Sequence, residues 1–431
     1  MLKLSVVGER FRSRLWPIPA SAAVVAGITA ALLSTVRPEP QAESVFWPGE
    51  PSSARGLLEV LAGTSLTVVA LVFSLFLVAL QLAASQYSPR LLRTFSRDGW
   101  VQASLAVLIS TFVFSLVTLA LFGTIDQPPR ISVAVAVLLG LAGVGALVGA
   151  VAHIVSSLRV ETMMAETHDD AARVIDASLG VGEHGPRPAG WPPAGSPDDV
   201  PHELSAARSG FVQAVGRPRL VSWAQRHSAF VQLDVTPGDH VLAGRALGRV
   251  WFVGTGDGAT DWDEAPDMGE IASAVMIGHE RTPDEDPAFG IVQLVDVAAR
   301  ALSPSMNDPT SAVHAIGHVA ALLGQVAASD RGAFRLSRAK DETVRVVERE
   351  RTITEYLAVT CRPLVRAGGA HPQVLLALVD LLDYVVTAAP DAASAVDAEL
   401  AYLLRGAENE LADETDRQAV RAAADRITDP R

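Results

Sequence analysis

Cysteine is nearly absent: Cys361 is the single one in 431 residues, which excludes an intrachain disulfide and any thiolate metal cluster. Lysine is almost as scarce, with Lys3 and Lys340 against 33 arginines, so little lysine-dependent chemistry is available. No Gly-x-x-x-x-Gly-Lys phosphate loop occurs. The Gly-rich stretch Gly254-Thr-Gly256-Asp-Gly258 lacks both the lysine and the dinucleotide spacing. No Gly-x-Ser-x-Gly elbow is present to present a nucleophilic serine. The acids Asp261, Asp263, Glu264 and Asp267 do not follow a calcium-loop spacing and read as a solvated loop.

Charge is divided along the chain. Residues 1–159 carry 11 basic and 7 acidic side chains, and the remainder 24 and 41, so a net +4 precedes a net −17. An acidic remainder excludes nucleic acid as an expected partner, because phosphate binding needs a basic footprint.

Long apolar runs fill the basic third. A helix needs about 20 apolar residues to cross a bilayer with its backbone satisfied. Leu15–Val36, Leu57–Leu82, Val101–Phe122 and Ile131–Val155 meet that requirement. The basic start Lys3, Arg10, Arg12, Arg14 also suits a secretory signal. The first run is nevertheless long and lacks a small-x-small cleavage site, and we read it as a retained span with its helical part shortened by Pro17 and Pro19. Arg90, Arg93 and Arg97 between the second and third runs, and Arg159 and Arg173 after the fourth, place both termini in the cytoplasm by the positive-inside rule. The expectation is a multi-pass protein of the plasma (inner) membrane.

Polar residues punctuate these runs. Thr64, Thr67, Ser74, Gln81 and Ser85 fall along one stripe of the second span, and Ser104, Thr111, Ser115 and Thr118 recur in the third. Hydroxyls at membrane depth face protein or water. Two readings stay open: interhelical hydrogen bonds, and a water-filled path lined by the second span. Gly140, Gly143, Gly145 and Gly149, with alanines four apart, suit close helix packing within or between protomers. His153 ends the fourth span as an interfacial histidine or a titrating gate.

Beyond the spans, Val160–Leu179 keeps a helical period as a stalk, and the Gly/Pro-rich Gly180–Pro201 reads as a linker. A small β module is expected over 202–265, with strands at Gly210–Val215, Ala229–Val235 and Ala246–Val253 and a turn at Thr236-Pro-Gly-Asp239. Phe230–Val250 resembles a hammerhead half of biotinyl- or lipoyl-type domains, but it lacks the lysine a carrier needs. Residues 266–431 turn mainly helical. Asp286-Pro287 and Asp308-Pro309 are helix-start pairs, and Asp296 and Arg300 stand four apart on a helix. The spacing predicts three or four amphipathic helices over Ile353–Ile427, broken at Pro372 and Pro390. His314 and His318 lie four apart on one helical face without a metalloprotease glutamate or an obvious third ligand. His168-Asp169 likewise lacks the partners of a metal phosphohydrolase. No metal, cofactor or catalytic residue is expected.

Two clusters carry a resemblance. They are Arg281-Thr-Pro-Asp-Glu-Asp286-Pro-Ala-Phe289-Gly290 and Ala301-Leu-Ser303-Pro-Ser-Met-Asn307-Asp308-Pro309-Thr310. With Gln81-Leu-Ala-Ala-Ser-Gln-Tyr-Ser-Pro-Arg90 and His153-Ile154, the chain from about Leu57 to Leu382 resembles a bacterial family of predicted integral membrane proteins of unknown function. The resemblance implies four N-terminal spans before a cytoplasmic domain, and no settled activity. The whole points to an α-helical membrane bundle followed by an α+β cytoplasmic domain with a small β module and C-terminal helices. Its expected function is that of a homo-oligomeric ion channel or transport protein in the lipid bilayer, with inorganic ions as cargo. The alternative is a non-conducting anchor or sensor presenting a partner-binding domain.

Overall fold

Four apolar helices form the first of two units, Met1–Met163 and Met164–Arg431, into which the chain divides. A computed structural model describes residues 16–35, 51–86, 99–122, 130–157, 159–180, 183–191, 201–252, 266–329 and 333–428. Helix α1 spans Pro17–Thr35, α2 Pro51–Gln86, α3 Gly99–Phe122 and α4 Arg130–Ser157. Pro17 and Pro19 lie in the first turn of α1, where their missing N–H groups have no helical acceptor to serve. Helix α3 touches all three others and is the most deeply buried of the four. Its Gln102, Ser104, Thr111, Ser115 and Thr118 are accordingly buried inside the bundle. Arg90, Arg93 and Arg97 lie outside the described residues.

The second unit opens on α5, Val160–Leu179, most of which belongs to it. Among the described residues nine strands follow: β1 Glu183–Gly185, β2 His202–Ser205, β3 Gly210–Val215, β4 Ala229–Leu233, β5 His240–Val241, β6 Ala246–Phe252, β7 Val275–Gly278, β8 Phe334–Arg338 and β9 Val344–Arg349. A six-stranded sheet runs β1-β8-β9-β4-β6-β2, and a three-stranded one β5-β3-β7. Every pairing is antiparallel except β4 with β9, where Val231 faces Val346 and Leu233 faces Glu348. The larger sheet therefore crosses residue 265, the limit expected of the β module. Leu220 and Trp223 of α6 (Arg217–Arg226) share a buried core with Val231, Leu233, Leu247 and Val250 of the larger sheet and with Ile271 of α7 (Met268–Ala272).

Six further α-helices stand among the described residues of this unit: α8 Ala288–Ala301, α9 Pro309–Ser329, α10 Ile353–Gly368, α11 Pro372–Ala388, α12 Ala393–Glu410 and α13 Glu414–Thr428. The breaks fall at Pro372 and Pro390, as the proline positions predict. Among the described residues five helices are long and apolar enough to cross a membrane: α1 to α4, and α9. Half of the α9 window is buried, and α9 packs on α8, α10 and α11. Gly290 of α8 lies so close to α5 that a Cβ there would meet the Ala171 Cα at 3.3 Å, which accounts for the glycine after Phe289.

Candidate functional site

The second unit contains a cavity of about 40 Å³, room for roughly three waters, lined by residues from both parts of the unit's sequence. Its floor is the turn Thr236-Pro-Gly-Asp239. Asp239 Oδ2 accepts from the Thr236 amide at 2.8 Å and from its hydroxyl at 2.9 Å, closing the turn. Gly238 has φ +91°, and a Cβ there would fall 2.7 Å from the Asp286 Cγ and 2.8 Å from the Arg281 Nε. Glycine is required twice over: by the backbone and by the approach of the ion pair.

Arg281 and Asp286 form that pair through two hydrogen bonds, at 2.5 and 3.1 Å. Asp286 Oδ1 also accepts from the Ala288 amide at 3.1 Å, so the same carboxylate caps α8. Asp286 is 2% exposed. Burial raises its pKa above the usual aspartate value, although Arg281 and then Arg351 oppose the shift. Phe289 lies beneath the Arg281 guanidinium, 5.9 Å from it.

Strand β9 supplies the opposite wall. Glu348 accepts from Arg217 Nε at 3.0 Å, and the same guanidinium donates to Glu285 at 3.0 Å. Burial raises the Glu348 pKa, outweighing Arg217 and Arg335, and its Oε1 is buried without a hydrogen-bond partner. Arg217 answers in kind. Burial disfavours its charge, but Glu348 and Glu285 more than restore it, and its pKa rises. Glu350 bridges Arg335 at 3.1 Å and His184 of β1 at 2.7 Å. Arg351 reaches Asp239 at 3.1 Å and stands 6.0 Å from the Tyr356 ring. Burial drives the Tyr356 hydroxyl well above the ordinary phenol range, so it stays protonated. The lining thus matches Arg217, Arg335, Arg349 and Arg351 against Glu285, Asp286, Glu348 and Glu350, charge for charge.

Of the residues singled out in the sequence, the structure places Asp286 in this cavity, with Arg281 bonded to it and Phe289 under Arg281. Asp296 stands half-buried on α8. Ser303, Asn307 and Asp308 form the α8–α9 connection instead. Asp308 accepts from the Ser311 amide at 3.1 Å and hydroxyl at 2.6 Å, capping α9, and Ser311 lowers its pKa. Asn307 takes φ +46°, a conformation asparagine tolerates, and its amide donates to the Ser303 carbonyl at 2.8 Å. Arg217, Arg335, Glu348, Glu350, Arg351 and Tyr356 were not singled out. The Arg345–Arg351 run sets five charged residues around Val346 and Val347, and nothing local distinguishes a buried charged strand from a solvated one.

In the first unit Thr64, Thr67, Ser74 and Gln81 are exposed on α2, on the face opposite Leu58, Ser65, Val72, Phe76 and Ala79, which are buried against the bundle. Thr64 and Thr67 donate to their own helix, at Val60 and Gly63. Ser85 lies in α2, but its side chain is outside the described residues. The α3 hydroxyls differ. Thr111 donates to Val107 and to the Leu139 carbonyl of α4, at 2.8 and 3.1 Å, while those of Ser115 and Thr118 are buried without partners. His153 of α4 is half-buried, its ring 6.1 Å from that of Trp100. Gly140 and Gly143 pack on Leu61 and Leu108, whereas Gly145 and Gly149 face open space.

The family described as "Predicted membrane protein (DUF2254)" matches residues 12–384. The chain belongs to this family. It is 32% identical over 440 residues to uncharacterized protein MT1328 of Mycobacterium tuberculosis, covering 98% of this chain and 81% of that one. Uncharacterized protein Mb1321c of Mycobacterium bovis matches to the same extent. No solved structure matches the chain. The membrane assignment therefore rests on family and apolar helices together.

Proposed function

We propose that the protein is a homo-oligomeric membrane conduit for inorganic ions, with α2 lining the path and the second unit acting as a cytoplasmic regulatory domain. In this reading α1 to α4 span the plasma membrane with both termini in the cytoplasm. Helix α9, packed on α8, α10 and α11, is then a core helix of the soluble domain. One observation carries the proposal: Thr64, Thr67, Ser74 and Gln81 line the face of α2 turned away from its own bundle. A polar stripe bathed in hydrocarbon is costly, especially at the Gln81 amide, and a second copy or a water column relieves that cost. The protein has no catalytic role in this proposal. The charge-matched cavity also suits the alternative, a non-conducting sensor whose soluble domain is the business end.

Flux through liposomes carrying the purified protein decides between them. Wild type is expected to pass ions, and Gln81→Leu and Ser74→Leu to reduce that flux severalfold while still folding and assembling. Flux unchanged in both variants removes α2 from the path, and none from wild type across several salts and pH values favours the sensor.

A further inference from the structure

Three histidines of the second unit stand on two neighbouring helices, α5 and α9. His314 and His318 share one face of α9, a turn apart. Helix α5 brings His168 to them, with the His168 and His318 ring centroids 5.1 Å apart and the planes inclined by 55°. His168 thus stands beside His318 although 150 residues separate them in the chain.

The distance is informative. A metal–imidazole bond of about 2.0–2.1 Å and a tetrahedral angle put two ligating ring centroids about 5 Å apart. Nδ1 of His168 is buried and has no hydrogen-bond partner. A buried ring nitrogen left unmatched calls for a group to satisfy it, and a metal ion is one such group.

We propose that His168 and His318 bind a divalent transition-metal ion of the zinc class, with His314 as the third ligand and water completing the shell. Imidazole ligands select this class over magnesium and calcium, which prefer oxygen. Among the described residues no three His, Cys, Asp or Glu side chains already converge on one point. His314 therefore joins by changing rotamer, one turn before His318. The site is independent of the proposed ion path.

The test uses the untagged full-length protein in detergent micelles, titrated calorimetrically with Zn²⁺ after dialysis against chelator. Wild type is expected to bind one ion per chain. His168→Gln and His318→Gln should each weaken binding by roughly a hundredfold, and His314→Gln by roughly tenfold. His240→Gln, on exposed β5, should leave it unchanged. Absence of binding by wild type, or equal affinity in the His168 and His318 variants, overturns the proposal. Should a variant fail to fold, carbethoxylation of wild-type histidines, mapped by mass spectrometry, asks the same question. Zn²⁺ is expected to protect His168 and His318, and equal modification with and without it would dismiss the site.

Discussion

At Gly238 two constraints coincide, a φ of +91° and an ion pair where a Cβ would go. Gly238→Ala is expected to destabilise the second unit by about 1–3 kcal/mol from backbone strain alone, before any displacement of Asp286 is added. Thermal unfolding in micelles measures it, and an unchanged midpoint would mean that the turn moves aside without cost. Glu348 has a signature in pH. Its folded pKa lies above the ordinary 4.5, so the stability it contributes is present below that value. It is lost as pH rises through the raised one. Glu348→Gln removes this loss. As pH rises above about 4.5 the variant should therefore lose less stability than wild type, and parallel pH profiles would show that Glu348 ionises normally. Residues of this scale differ in how well sequence exposes them. Asp286 and Asp308 were recognisable as caps because a cap is a local event, an acid before proline at a helix start. The burial of Glu348 is not local. It depends on β9 pairing with β4 some hundred residues earlier, with Leu233 facing Glu348.

Elements divide along the same line. Helices over Val160–Leu179 and Ile353–Ile427 follow from apolar spacing and proline breaks, and the structure adds only their number, four for the latter stretch. The strands Gly210–Val215 and Ala229–Leu233 were legible from β-branched runs between turn residues. Strands β8 and β9 were not, because arginine and glutamate interrupt their alternation, and only the charge partners across the cavity make those residues tolerable inside. Apolar composition likewise fails to separate α9 from the four helices of the first unit, since a buried core helix and a spanning one share it. Local devices remain separable. Thr352 and Glu355 form a reciprocal capping box at the start of α10. Thr352→Ala is expected to cost about 1 kcal/mol. A denaturant midpoint equal to wild type would show that Glu355, which also meets Arg349, holds the helix start unaided.

For the whole molecule the question is what covers the outward stripe of α2. The amide of Gln81 and the hydroxyl of Ser74 are polar groups presented by an apolar helix, and flanking Leu71, Leu77 and Val78 are exposed with them. In an oligomer built around α2 the stripe of each copy approaches that of its neighbour, whereas Leu138 and Val148 of α4, exposed and purely apolar, suit lipid. The protein is well suited to testing this by cross-linking. Its one cysteine, Cys361, is fully buried, and burial, followed by the nearby Glu399, drives its thiol pKa far above the usual value. Little thiolate is left to react, so the background is low. Single cysteines in place of Thr67 or Ser74, oxidised in native membranes, are expected to give covalent dimers, because a disulfide demands Cα atoms within about 7 Å. Leu138→Cys should give none. Dimers from Leu138→Cys and not from the α2 sites would place the contact on α4, and with it the lining of any path between subunits.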